Sequence, residues 1–120
     1  MPADGSWSLK QIVGHLIDSA TNLQQRIVRL LEGNLENFPT YNGAFWVNAQ
    51  HYQQADWENL KTLWQALNRH LLYVMQNIPD ESLANEWILE PGVGADLKWL
   101  IEDYFEHMAH HSRKFGSKSA

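Results

Sequence analysis

In SLKQIVGHLIDSATNLQQRIVRLL, Ser8–Leu31, apolar side chains recur at Leu9, Ile12, Val13, Leu16, Ala20, Leu23, Ile27 and Leu30. That is the 3.6-residue period of a helix burying one face. Ser8 followed by Gln11 has the form of a capping box, which satisfies two amides at a helix start. Gly33 and Asn34 supply the stop. The predicted helix therefore runs from about Leu9 to Leu31. One side of its stripe carries a polar line of Gln11, His15, Ser19, Asn22 and Arg26.

Two further segments repeat the period. Trp57, Leu60, Leu63, Trp64, Leu67, Leu71, Val74, Met75 and Ile78 predict a helix over about Trp57 to Asn77, capped by Asp56 and stopped before Pro79. Leu97, Leu100, Ile101, Tyr104, Phe105, Met108 and Phe115 predict another over about Leu97 to Phe115, capped by Asp96. In the connection Asn37–Ala55, Phe45 to Gln50 suits a short helix. In Pro79–Ala95, NEWILE suits a brief extended piece with nothing to pair with. The expected class is all-α: one bundle domain over 1–120, with three long helices and a short connecting one.

At 120 residues the chain fits one core, and an apolar content of 44% argues against disorder. A formal charge of −5 without a basic cluster gives no nucleic-acid footprint. No apolar run approaches the ~20 residues of a membrane span. MPADGSW has neither a charged n-region nor an apolar h-region, so no signal peptide is expected and a cytoplasmic location is the default. The absence of cysteine excludes disulfides, thiolate metal sites and a cysteine nucleophile.

Three of the six histidines lie in EHMAHHSRKF, Glu106–Phe115. His107 and His111 are four apart, so both leave the same helix face and two imidazoles at that spacing can grip one ion. His110 lies about 100° around from His111 and is a bystander. Spacing alone leaves two readings open: a pair of metal ligands, or partly buried histidines bonded across helices. His15 is a possible third ligand if the first and last helices pack side by side. A three-histidine set with an open fourth position is the arrangement of a catalytic metal site. His51 and His70 have weaker claims, because neither is paired at helical spacing.

WSLKQIVGHLIDSATNLQQRIVRL (Trp7–Leu30), YNGAFWVNAQHYQQADWENLKTLWQALNRHLL (Tyr41–Leu72) and DYFEHMAHHSRKF (Asp103–Phe115) together resemble the DinB/YfiT-like superfamily. The resemblance covers nearly the whole chain and is most specific in GHLIDSA with the His107/His111 pair. It implies a helical bundle that binds a divalent metal, Zn or Ni, through His15, His107 and His111. It implies an enzyme that activates a thiol or water, acting as a thiol S-transferase or a hydrolase on a small-molecule substrate. Asp18 and Asp103, each one turn from a ligand, are candidates to orient imidazole N–H groups, and Arg26 to hold an anionic substrate group. Solvated helix charges are the alternative for all three.

Relatives in this family carry a full helix ahead of the WS signature, whereas six residues precede Trp7 here. The expectation is a bundle lacking that first helix. Its groove would be covered by a second subunit, closed by AFWVN, or left open in a shortened chain. A homodimer is the expected state. The competing class is a non-catalytic helical interaction module with a structural or degenerate histidine cluster.

Overall fold

The structure, a computed structural model, describes residues 7–119, with side chains described as far as Ala109. Helix α1 (Leu9–Leu30) is the spine of the molecule. It starts where the capping pattern places it: Ser8 Oγ accepts from the Gln11 amide, and the Gln11 side chain accepts from the Ser8 amide. Burial reaches farther around the helix than the predicted stripe, taking in Gly14, Ile17 and Asp18. The reason is that α1 is covered on two sides.

Strand β1 (Leu35–Glu36), helix α2 (Gly43–Ala49) and a 3-10 turn at Tyr52–Gln54 lead into α3 (Trp57–Gln76). A second 3-10 turn at Asp80–Ala84 precedes strands β2 (Glu86–Glu90) and β3 (Val93–Asp96), and α4 (Leu97–Ser119) closes the chain. Asn42 and Asp56 cap α2 and α3 with their side chains. Asp96 Oδ1 accepts from the Trp99 amide at 2.8 Å at the start of α4.

The N-terminal half of α1 packs Ile12, Val13 and Ile17 with Trp7, with Val47 of α2, and with Tyr52 and Leu60. The C-terminal half packs Ala20, Leu23, Ile27 and Leu30 with Leu71 of α3, Trp87 of β2, and Leu97, Leu100 and Tyr104 of α4. The AFWVN segment therefore folds against α1 within one chain, and Val47 is 1% exposed there. Asn85 joins the end of α1 to the start of α4. Its Nδ2 donates to the Leu30 carbonyl at 2.7 Å, and its own carbonyl accepts from the Leu97 amide at 2.9 Å. Two helix-end groups that lack intrahelical partners are satisfied by this one residue. With Leu97 at the Leu30 end and His107 beside His15, α4 runs antiparallel to α1.

The all-α expectation needs correction, because a three-stranded sheet of order β1-β2-β3 is present. NEWILE does have partners. Leu35 and Glu36 pair with Trp87 and Ile88 in parallel, and β3 pairs antiparallel across the Pro91–Gly92 turn. Gly92 sits at φ 78°, where a Cβ is costly. At Gly94 a Cβ would fall on the Trp87 carbonyl of the facing strand, so only glycine allows this approach. Among the described residues no helix is long and apolar enough to cross a membrane.

Candidate functional site

The polar line of α1 survives in the fold as a ridge. Gln11, His15, Ser19, Asn22 and Arg26 are each half-buried, between the apolar face and solvent. At its N-terminal end the His15 ring is walled by the Trp7 ring, with centroids 5.1 Å apart and planes tilted by 43°. The start of α2 lies over it: a Cβ on Gly43 would stand 3.7 Å from His15 Cε1. From α4 the His107 ring approaches edge-on, its centroid 5.3 Å from that of His15 at an interplanar angle of 84°.

This separation has a chemical meaning beyond ring packing. Two imidazoles bound to one tetrahedral ion at ~2.0–2.1 Å have centroids roughly 5.2 Å apart. An edge-to-face ring pair without an ion falls in the same range. Among the described residues no group of three or more His, Asp or Glu side chains stands close enough to hold a metal. His111, one turn beyond His107, has its side chain outside the described residues, as do His110 and Phe115. His51 is exposed in a left-handed backbone position (φ 55°), and His70 is exposed on α3.

Asp18 is 1% exposed. Its Oδ1 accepts from the Tyr52 hydroxyl at 2.7 Å and from Gln50 Nε2 at 2.8 Å. Its Oδ2 is buried with no hydrogen-bond partner among the described residues. Burial raises the Asp18 pKa, and the two donated hydrogen bonds pull partly the other way. Burial also pushes the Tyr52 hydroxyl up, and the neighbouring Asp18 adds to it. The ring of Tyr52 lies across Gly14, where any Cβ would overlap it. Gly14 and Asp18 thus form a seat for the turn after α2: a gap for the ring and an acceptor for its hydroxyl. Helical periodicity does not mark Tyr52 or Gln50 as parts of the site. The one signal in the sequence is a small residue and an acid four apart on one helix face. Asp103 is exposed on α4.

Toward the other end of the ridge, the Arg26 guanidinium carbon lies 4.2 Å from the Trp87 ring centroid and 5.8 Å from that of Tyr41. Tyr41 is placed by Ser19, whose Oγ is 3.3 Å from the phenol oxygen, and by the Trp46 ring at 5.2 Å. Trp87 is placed by its Nε1–H, which donates to the Phe38 carbonyl at 2.9 Å. Neither aromatic wall is marked by the sequence pattern, because each comes from a segment distant in the chain. Surface concavities of about 470 and 570 Å³ lie along the β2–β3 hairpin, and no histidine lines them.

No curated protein matches the sequence. Among solved structures, the fold matches YfiT from Bacillus subtilis, described as "a probable metal-dependent hydrolase with an unusual four-helix bundle topology". The TM-score is 0.68 at 21% identity, covering 94% of this chain and 69% of that one. Residues 1–114 match the family model of the DinB superfamily. The match takes in the GHL segment, the α2–α3 connection and both helices that bring His15 to His107, and the chain belongs to the DinB superfamily.

Proposed function

We propose that the chain is a metal-dependent enzyme in which His15, His107 and His111 hold a divalent ion, Zn or Ni, for thiol S-transfer or hydrolysis of a small molecule. The observation that carries this reading is the convergence of His15 and His107 from two helices at a centroid distance of 5.3 Å, with His111 one turn further along α4. Imidazole donors suit either metal. Such an ion supplies Lewis acidity, lowering the pKa of a bound water or thiol toward neutrality. The protein's part is positional. Trp7 and the backbone at Gly43 confine the His15 ring, and the Tyr52–Asp18 contact holds the turn that follows α2. The description of YfiT as metal-dependent is in keeping with this reading.

The test is metal content by elemental analysis after purification without a histidine tag. About one ion per chain is expected, lost in His15→Ala and His107→Ala and kept in His110→Ala. Melting temperature should rise with added Zn²⁺ or Ni²⁺ in the wild type and in His110→Ala, but not in His15→Ala or His107→Ala. A protein that stays free of metal, and whose melting does not respond to either ion, is the interaction module instead.

A further inference from the structure

We propose that Arg26 anchors a carboxylate group of the substrate, so that the molecule acted on is a small organic acid lying along the α1 ridge. The inference rests on the metal-centre reading for the position of the reacting end, but the anchor itself is a feature of this chain's own residues. The guanidinium is half-buried between the rings of Trp87 and Tyr41, and both rings are held by hydrogen bonds of their own. Among the described residues, no carboxylate forms an ion pair with it, and Arg26 Nε is buried without a hydrogen-bond partner. Burial draws the Arg26 pKa down, the direction for a cation lacking an anion.

A buried cation is costly unless paired, and stacking on aromatic faces offsets only part of that cost. The planar guanidinium matches a carboxylate through two parallel N–H···O bonds. One guanidinium neutralises a single negative charge, which is what a carboxylate carries, whereas a phosphate group at neutral pH carries about −1.5 to −2 and would keep part of its charge unpaired. The next arginine on α1, Arg29, lies over the Phe38 ring and donates to Gln25 Oε1 instead. The anchor also points along the right line. About 16 Å of helix axis separates the Cα atoms of His15 and Arg26 at 1.5 Å per residue, and the Arg26 guanidinium carbon lies 5.8 Å from the ring centroid of Tyr41, whose hydroxyl meets Ser19 between them. Ser19 and Tyr41 fill the interval between them with hydroxyls and an aromatic wall.

The probes are octanoate and octanamide, which share a chain and differ in charge. They are titrated by calorimetry into the metal-free and the Zn²⁺-loaded full-length protein. Octanoate should bind at least about 10-fold more tightly than octanamide in both forms, as a charge-assisted bidentate pair requires. Arg26→Gln should abolish the preference, and Arg26→Lys should restore only part of it. In the wild type, octanoate should shift the Arg26 Nε–H resonance, and octanamide should not, a readout that needs no variant to fold. Equal binding of the two probes, a preference retained in Arg26→Gln, or an unmoved Nε–H resonance overturns the proposal. Because the metal-free protein is tested too, failure of the metal site alone leaves the octanoate preference intact and is recognised separately.

Discussion

Gly14 is the residue at which two physical effects oppose each other most directly. In a helix interior, alanine is favoured over glycine by ~1 kcal/mol. Here a Cβ would overlap the Tyr52 ring, and overpacking a filled site costs ~1–3 kcal/mol before the Tyr52–Asp18 hydrogen bond is lost. Sterics win by ~1–3 kcal/mol, so Gly14→Ala should lower the melting temperature by about 4–12 °C. A change within about 2 °C would show that Tyr52 moves aside freely. Asp18 makes a pH prediction. Its folded pKa lies above 3.8 because of burial. The folded state therefore holds the proton more tightly than the unfolded chain. The corresponding stability is complete below the unfolded value and is lost as pH rises through the folded one. Asp18→Asn has no such loss, so its stability relative to wild type should improve as pH climbs from 3.8 toward neutrality. Urea titrations at a series of pH values measure this; a difference that does not vary with pH would argue against a desolvated carboxyl.

At the scale of elements, the β2–β3 hairpin does more than decorate the bundle. Trp87 on β2 is the buried joint between α1, α4 and the segment around Phe38, and its ring is the platform for Arg26. The pairing that holds it needs Gly94, which faces Ile88 across the ladder and lies against the Trp87 carbonyl. Gly94→Ala should loosen this pairing while leaving the helices formed. Amide exchange across residues 86–96 should speed up by about 10-fold, with α1 amides little changed. Uniform acceleration through the whole chain would mean that hairpin and bundle open as one unit.

For the whole molecule, the expected state is a homodimer. Trp99 and Phe105 on α4, with Leu89 and Val93 on the hairpin, are 53%, 40%, 42% and 46% exposed. Large apolar side chains exposed this close in sequence are the kind of surface that association covers. An obligate interface buries at least ~2,000 Å² in total, so unfolding should depend on protein concentration. Sedimentation equilibrium at micromolar concentration decides it: a folded species of 13.9 kDa rules the dimer out.

Helix α1 is legible in the sequence because its signals are local. The Ser8–Gln11 box, the stripe from Ile12 to Leu30 and the polar line through His15 all follow from helical periodicity, and the folded chain keeps each of them. The starts of α3 and α4 follow in the same way from Asp56 and Asp96, whereas the short helix expected over Phe45 to Gln50 begins two residues earlier, at Gly43, where the Asn42 side chain caps it. The sheet is not legible, because β1 is two residues long and its parallel partner lies across the whole of α3. Periodicity carries no signal over such a gap. The approach of His107 to His15, the seat that Gly14 and Asp18 make for Tyr52, and the stacking of Arg26 on Trp87 are likewise contacts between distant segments. Sequence supplies the chemical groups and the helix faces that bear them. Only packing of α4 antiparallel to α1, with the α2 turn and the hairpin closing either end of the ridge, decides which of those groups meet.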